Sequence, residues 1–265
     1  MVYKGKIIDL NEKVVMAIVN ITTDSFFDGG SYLTEQKLIS RIESQLSDGA
    51  TIIDLGACST RPSAVHVDAL QEEKQILWAL NIIKERFPNI ILSIDTYRRS
   101  VAEAALNIWG EIIVNDVSAG DADKDMIDFV ASSSLPYISM HHTKTSAKED
   151  ITSMVVRFFH EKWEEAERKG IKDFIIDVGF GFGKTTEENF ELVKNFERFK
   201  IFDKPLLVGI SRKSMIYKTL NCTPTQALTG TIAINTLLLK SGANILRVHD
   251  SKEAAQTIKL VNQIM

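Results

Sequence analysis

The chain has 265 residues, of which 45% are apolar and 25% charged, and its formal net charge is −4. This length and apolar content suffice for a large core, either in one α/β barrel or in two smaller domains. The interspersed charges argue against a nucleic-acid partner, and no apolar run is long enough to cross a bilayer.

The first residues and the cysteine content predict a cytoplasmic protein. Charges interrupt the N-terminal stretch MVYKGKIIDLNEKVV, where a signal peptide would need an apolar core. Cys58 and Cys222 are too few for a disulfide framework and suit a reducing compartment. We therefore expect a soluble protein without membrane or nucleic-acid partners.

Short apolar runs recur along the chain and predict the strands of a parallel sheet. They are VVMAIVN (14–20), TIIDL (51–55), IILSID (90–95), EIIVN (111–115), PYISM (136–140), DFIID (173–177), PLLVG (205–209) and NILRVH (244–249). Most are β-branched or leucine-rich without alternation, which is typical of strands covered on both faces. Amphipathic helical patterns lie between them, the clearest from Ile151 to Lys169.

The spacing of these runs predicts a single-domain (β/α)8 TIM barrel over residues 1–265. Strand ends recur about every 33 residues, close to the length of one βα unit. The alternative is an open doubly wound sheet, which usually carries a G-x-G-x-x-G fingerprint after its first strand. This chain has NITTDSFFDGG there, so the barrel is favoured.

Function in such a barrel belongs to the carboxyl ends of the strands. Polar or charged groups follow nearly every predicted strand, and they include Asn20, Thr60, Arg61, Asp95, Asn115, Asp177, Ser211, Lys213, Arg247 and His249. Taken singly, each has a structural explanation, since an aspartate often caps the next helix and a basic pair is often solvated. Their convergence on one rim instead predicts a binding site.

Two other kinds of site are disfavoured by the residue spacing. The stretch DVGFGFGKT (177–185) ends like a phosphate-binding P-loop, but Val178 stands where that loop needs a glycine. A His-rich metal site needs several ligands that converge on one point. His141 and His142 are adjacent on an extended segment, so we expect them to point to opposite faces.

Seven segments at the predicted strand ends are NITTDSFFDGG, DLGACSTRPS, SIDT, VNDVSAG, DVGFGFGKT, GISRKS and RVHD. In their order and spacing, these segments together resemble the dihydropteroate synthase family of folate biosynthesis. The resemblance implies a transferase that joins 6-hydroxymethyl-7,8-dihydropterin pyrophosphate to p-aminobenzoate and releases pyrophosphate. It also implies Mg²⁺ (magnesium) as cofactor and a homodimer, for which the apolar helix near 227–239 offers a surface.

The resemblance also implies roles for individual residues. The pterin would be bound by Asp95, Asn115, Met140, Asp177 and Lys213. The pyrophosphate would be bound by Asn20, Thr60, Arg61, Arg247 and His249, with Asn20 also holding the metal. The p-aminobenzoate would be bound by Phe26, Thr60, Arg61, Pro62, Phe182, Ser211 and Lys213. The catalytic groups would be Asp95, Lys213, Arg247 and His249, in a dissociative displacement of pyrophosphate.

Four positions depart from the pattern of that family. Thr23 and Val178 stand where proline is common, Cys58 where glutamate is frequent, and Ser63 where glycine is usual. These departures leave open the shape of the p-aminobenzoate pocket and the response to sulfonamides. They also leave two alternatives, a catalytically silent paralogue and a pterin-dependent methyltransferase on a similar barrel.

Overall fold

The computed structural model describes residues 1–10, 12–21, 34–57, 67–144 and 150–264. Its strands are β1 (Val2–Tyr3), β2 (Lys6–Ile7), β3 (Val14–Asn20), β4 (Ile52–Gly56), β5 (Ile91–Asp95), β6 (Ile113–Asp116), β7 (Tyr137–Met140), β8 (Phe174–Asp177), β9 (Leu206–Val208) and β10 (Ile245–Val248). Its helices are α1 (Glu35–Ser47), α2 (Ala69–Arg86), α3 (Arg99–Trp109), α4 (Met126–Ser132), α5 (Ile151–Lys169), α6 (Thr186–Lys194), α7 (Ser214–Thr219), α8 (Leu228–Lys240) and α9 (Ser251–Val261). Short 3-10 helices cover Phe196–Phe202 and Pro224–Gln226.

The strands from β3 to β10 close into a parallel barrel in which each strand pairs with its neighbour in sequence and β10 pairs with β3. The predicted (β/α)8 TIM barrel is therefore confirmed, and every predicted run overlaps a strand of the barrel. Helix α5 has the bounds that its apolar pattern predicts, because Asp150 caps its first turn and Gly170 ends it at φ 87. None of the helices in the described ranges is long and apolar enough to span a bilayer.

The barrel interior is filled by apolar side chains near the amino ends of the strands. This buried layer consists of Met16, Ile52, Ile113, Ile138, Ile175, Leu207 and Ile245, with Tyr3, Leu10 and Val14 beside it. The alternate residues of the same strands point outward and pack under the helices in a second, larger cluster. Polar side chains that face inward therefore lie beyond this layer, toward the carboxyl ends.

A short hairpin, not predicted from the sequence, packs against the amino end of the barrel. Strands β1 and β2 are joined by Lys4 and Gly5, whose φ values of 46 and 70 suit a two-residue turn. The Tyr3 hydroxyl accepts hydrogen bonds from the Trp109 indole N–H at 2.8 Å and the Leu92 amide at 3.0 Å. These long-range bonds anchor a segment that is too short to form a stable hairpin alone.

Candidate active site at the carboxyl ends of the strands

Strand register brings four of the strand ends side by side. Asn20 is paired with Gly56, Gly56 with Asp95, and Asp95 with Asn115. A Cβ at Gly56 would lie 3.3 Å from the Asp95 Cβ, a tight approach, and in ordinary contact with Asn20 Oδ1 and Asp95 Oδ2 at 3.5 Å. The structure thus brings Asn20, Asp95 and Asn115 together around a space that the glycine leaves open.

Arg247 joins two buried carboxylates in the centre of this row. Its Nε donates to Asp54 Oδ2 at 2.7 Å, and its Nη2 donates to Asp95. Asn115 Nδ2 donates to the same Asp54 oxygen at 3.2 Å. Asp95 is therefore part of an ion-paired cluster, and the capping interpretation is wrong for it, because α3 has no side-chain cap.

Asp54 is a site residue that was not predicted from the sequence. It lies fully buried within β4, and its carboxylate connects Arg247 to Asn115. The signal was present in the run TIIDL, because an aspartate inside an otherwise apolar strand needs a buried partner. That partner comes from β10, at the other end of the chain.

Burial and charge pairing shift the titration of this cluster. Burial raises the pKa of Asp95 to about 7; Arg247 opposes the rise, while Asp54 and Glu72 add to it. Burial alone would lower the pKa of Arg247, but Asp54 and Asp95 raise it above its ordinary value. The guanidinium is therefore a permanent cation held between carboxylates at the rim.

A third buried carboxylate, that of Glu72, lies near Asp95. Glu72 of α2 accepts a hydrogen bond from Thr96 Oγ1 at 2.7 Å and forms an ion pair with Arg98. Arg98 Nη2 also donates to the Val67 carbonyl at 2.9 Å. These contacts of Glu72 and Arg98, which were also not predicted from the sequence, connect the segment before α2 to the end of β5.

The glycines after β8 allow the backbone to approach β7 closely. Gly179, Gly181 and Gly183 have φ values of 68, 81 and 63, a region that glycine adopts without strain. A Cβ at Gly179 would lie 1.9 Å from the His141 carbonyl oxygen, so no other residue fits there. The Gly179 amide donates to Asp177 Oδ1 at 2.8 Å and orients that carboxylate.

The lysine of the Gly-Lys-Thr sequence points into this turn and does not face a phosphate site. Lys184 Nζ donates to the carbonyls of Gly179, Phe182 and His141 at 2.8, 3.0 and 3.2 Å. Thr185 caps α6 in a capping box with Glu188. The glycine-rich stretch is therefore a rigid turn that connects β8 to a helix.

The two phenylalanines of this turn have different surroundings. Phe180 is fully buried and stacks on Phe196, with ring centroids 6.4 Å apart. Phe182 is partly exposed, and its ring lies 4.6 Å from Lys213 Nζ. The Phe182 side chain therefore lies beside Lys213, whereas the Phe180 side chain packs in the core.

Lys213 and Asp177 carry opposite charges on the rim and influence each other's titration. Burial lowers the pKa of Lys213 to about 8, and the Asp177 carboxylate opposes that shift. Burial also raises the pKa of Asp177, with Lys213 opposing most strongly. Lys213 Nζ donates to the Phe180 carbonyl, so this ammonium is directed toward the turn after β8.

Arg212 fixes the loop that carries Ser211 and Lys213. Its Nε and Nη2 each donate to Asp250 at 2.8 Å, in a bidentate pair. The backbone at Arg212 has φ 54, and its amide donates to Thr231 Oγ1 at 3.0 Å. The interpretation as a solvated surface charge is therefore wrong for Arg212.

The remaining predicted residues fall into two groups. Met140 is paired in register with Asp177, and the His249 amide donates to Ser211 Oγ at 3.3 Å. These residues share the rim with the ion pairs of Arg247 and with Asp177 and Lys213. The others lie outside the described residues; they are Phe26, Thr60, Arg61 and Pro62, together with Thr23, Cys58 and Ser63.

The two adjacent histidines pack on one aromatic ring. Phe158 lies edge-on to both His141 and His142, with centroids 4.8 and 6.1 Å away. Both histidines follow β7, which ends at Met140, so the alternation of side chains within a strand does not apply to them. Within the ranges that the structure covers, no cluster of three His, Cys, Asp or Glu side chains could hold a metal ion.

We expect His141 to make the protein less stable in acid. Burial lowers its pKa to about 3, with Lys184 and His142 adding to the effect. Unfolded histidine takes up a proton below about pH 6.5, so folding stability falls as pH drops from there toward 3. Between pH 7 and pH 5, the free energy of unfolding of the wild type should fall by about 2 kcal/mol more than that of a His141→Met variant. Urea titrations at both pH values measure this difference.

The matched control is His160→Met, because His160 is exposed on α5. This variant should keep the pH dependence of the wild type. If the free energy of unfolding depended equally on pH in the wild type and in His141→Met, the buried ring would be taking up a proton in the folded state.

Comparison with known proteins places the chain in a family. The family model for pterin binding enzymes matches residues 16–249. A dihydropteroate synthase of Streptococcus pyogenes is 37% identical over 98% of this chain and 99% of its own length. The crystal structure of a Clostridium difficile dihydropteroate synthase with pteroic acid has a TM-score of 0.92 and 35% identity over 97% of this chain and 99% of that one. A Yersinia pestis dihydropteroate synthase with a sulfonamide drug complex has a TM-score of 0.93 and 32% identity over 100% of this chain and 98% of that one.

The chain therefore belongs to the family of pterin binding enzymes. Within that family its relatives are dihydropteroate synthases, so the resemblance predicted from the seven segments is confirmed and the protein is a transferase of that kind.

Proposed function

We propose that the protein condenses 6-hydroxymethyl-7,8-dihydropterin pyrophosphate with p-aminobenzoate to form 7,8-dihydropteroate and pyrophosphate. The observation that carries this proposal is the pairing of Asn115, Asp54, Arg247 and Asp95 beside Asp177 and Lys213 on one rim. This arrangement offers hydrogen-bond acceptors for a flat heterocycle and a fixed cation for a diphosphate. The Clostridium difficile relative, whose crystal structure was determined in the presence of pteroic acid, supports this choice of substrates.

The pterin fits the side of the rim formed by Asp177, Asn115 and Lys213. A pterin edge carries ring N–H and amino donors beside a carbonyl acceptor. The Asp177 carboxylate accepts two such donors in a bidentate pair, Asn115 both donates and accepts, and Lys213 donates to the carbonyl. Met140, buried next to Asp177, supplies an apolar surface for the ring.

The pyrophosphate fits the side formed by Arg247 and His249. The charge of the leaving group grows as the C–O bond breaks, and a fixed guanidinium stabilises it. Asp95 lies in contact with Arg247, where a carboxylate stabilises a cationic pterin methylene. We propose a dissociative displacement on these grounds.

The residues fit magnesium as a cofactor. Asn20 presents an amide oxygen at the rim, close to the Asp95 carboxylate across Gly56. Mg²⁺ prefers oxygen ligands and is often held by one or two protein groups together with substrate phosphates. When bound, it would neutralise part of the charge of the leaving pyrophosphate.

The p-aminobenzoate fits beside Phe182, Ser211 and Lys213. The Phe182 ring and the Lys213 ammonium are in cation–π contact, and Ser211 follows β9 on the same rim. The resemblance to the family implies further residues of this pocket, and we include them in the proposal: Phe26, Thr60, Arg61 and Pro62.

The direct test is formation of dihydropteroate by the purified full-length chain with both substrates. We expect product in the presence of magnesium, loss of activity with excess EDTA, and recovery when magnesium is added back. A chain that binds the pterin but forms no product would be the silent paralogue. Methyl transfer from methyltetrahydrofolate to a corrinoid would identify the methyltransferase.

We also propose that the protein is a homodimer. Helix α8 is apolar on several faces, and Leu237 on α8 and Leu220 at the end of α7 are 55% and 52% exposed. Burial of such leucines against a second copy would remove apolar surface from water. Sedimentation of the wild type should give a dimer, and a monomer at all concentrations would contradict the proposal.

A further inference from the structure

Lys184 is a partly buried cation that the proposed chemistry does not use. It is placed within the turn after β8, and its Nζ lies within 3.2 Å of three backbone carbonyl oxygens. An ammonium group has three N–H donors and so satisfies all three acceptors, whereas a neutral amine has only two. The geometry of the site is therefore that of a cage for a charged lysine.

The cage holds both ends of the turn and joins them to a neighbouring strand. The Gly179 and Phe182 carbonyls belong to the turn itself, and the His141 carbonyl follows β7. The Phe182 amide also donates to the Gly179 carbonyl at 3.1 Å. Lys184 thus fixes the turn against β7 through one group.

The peptide groups between these ends contact the two charged residues of the pterin side. The Gly179 amide donates to Asp177, and the Phe180 carbonyl accepts from Lys213. The Gly181 amide donates to Asn189 Oδ1 at 2.7 Å, which anchors the middle of the turn to α6. A change in the turn would therefore move the partners of both Asp177 and Lys213.

We propose that Lys184 is a positioning residue that orients Asp177 and Lys213 for binding of the pterin; this inference rests on the proposed function. The lysine acts through the backbone of the turn and does not contact the ligand. The Arg247 side of the rim contacts Asp54 and Asp95, which belong to β4 and β5 and are not bonded to the turn. Replacement of Lys184 should therefore weaken binding of the pterin and leave binding of pyrophosphate nearly unchanged.

The charge of Lys184 supports the same positioning role. Burial lowers the pKa of Lys184 to about 7, while Asp177 and Glu188 favour the ammonium and Lys213 disfavours it. Lys184 in turn is one of the cations that oppose the raised pKa of Asp177. Removing this charge would make the Asp177 carboxylate easier to protonate and so a poorer acceptor for the pterin.

The test is calorimetric titration of Lys184→Met and Lys184→Arg with two probes, 6-hydroxymethyl-7,8-dihydropterin and inorganic pyrophosphate with magnesium. We expect the methionine variant to bind the pterin about tenfold more weakly or worse, and to bind pyrophosphate within about twofold of the wild type. The arginine variant retains the charge and should recover part of the pterin affinity. Lys194→Met, an exposed change on α6, is the matched control and should bind both probes normally.

The outcomes separate positioning from general instability. Loss of both probes in equal proportion, or unchanged pterin affinity in Lys184→Met, would overturn the inference. Should the methionine variant not fold, Lys184→Gln retains two donors without the charge and carries the same expectation. Wild-type protein that binds neither probe would instead refute the proposed function, so the two failures are distinct.

Discussion

Asp177→Asn should weaken binding of the dihydropterin by about 100-fold, the loss expected when charge-assisted hydrogen bonds of about 1.5–3 kcal/mol are removed. In the proposed complex, the carboxylate accepts two donors of the pterin edge. The asparagine amide would present its own N–H group to one of those pterin donors. These two donors would then face each other in a buried site, and neither would have an acceptor. Isothermal titration calorimetry with the pterin alcohol measures this loss.

The fold should tolerate this change. Burial raises the pKa of Asp177, so the folded protein holds this charge at a cost that a neutral amide avoids. The amide oxygen can still accept from the Gly179 amide. Asp203→Asn is the control, because Asp203 is exposed and its φ of 48 is one that asparagine adopts readily. Unchanged pterin affinity in Asp177→Asn would remove this residue from the site.

Arg247→Ala should weaken binding of inorganic pyrophosphate by about 100-fold and binding of the bare pterin alcohol much less. The guanidinium is the fixed positive charge of the proposed phosphate side, and bidentate contacts to phosphate oxygens are what arginine provides. The pterin edge is bound by Asp177, Asn115 and Lys213 in the proposal. Titration of each ligand separately measures the two losses.

The same substitution should also destabilise the fold. Asp54 and Asp95 would lose their cation, and breaking a buried ion pair costs about 3–5 kcal/mol. The pKa of Asp95, already raised to about 7, would rise further because Arg247 opposes that shift. Arg247→Lys keeps a charge without the fork geometry and tests whether bidentate contact matters. Arg168→Ala on the exposed face of α5 is the control, and equal losses of both ligands would contradict the assignment.

The barrel and most of its rim follow from the sequence by local rules. Uninterrupted β-branched runs predict strands covered on both faces, and their regular spacing predicts eight βα units. Residues such as Asp95, Asn115 and Asp177 stand at strand ends, and parallel strands bring those ends to one edge. Periodicity alone therefore predicts which end of the barrel carries them.

The partners of these residues depend on tertiary structure. The ion pair of Asp54 with Arg247 joins positions 193 residues apart, and that of Asp95 with Arg247 joins positions 152 apart. Strand register and the closure of β10 on β3 decide such pairs, and no local pattern encodes them. The hairpin of β1 and β2 was missed for the same reason, since its stability comes from distant contacts of Tyr3.

The Gly-Lys-Thr sequence shows both what the local sequence predicts and what only the tertiary structure decides. Its spacing alone argued against a phosphate loop, because Val178 occupies the position of an essential glycine. The role of Lys184 could not be predicted, since one of its acceptors is the His141 carbonyl, in the segment that follows β7. Sequence determined the barrel, the rim and the family, because periodicity and strand ends are local properties of the chain. Only the folded structure decided which charges meet, because burial and pairing depend on segments that come together in space.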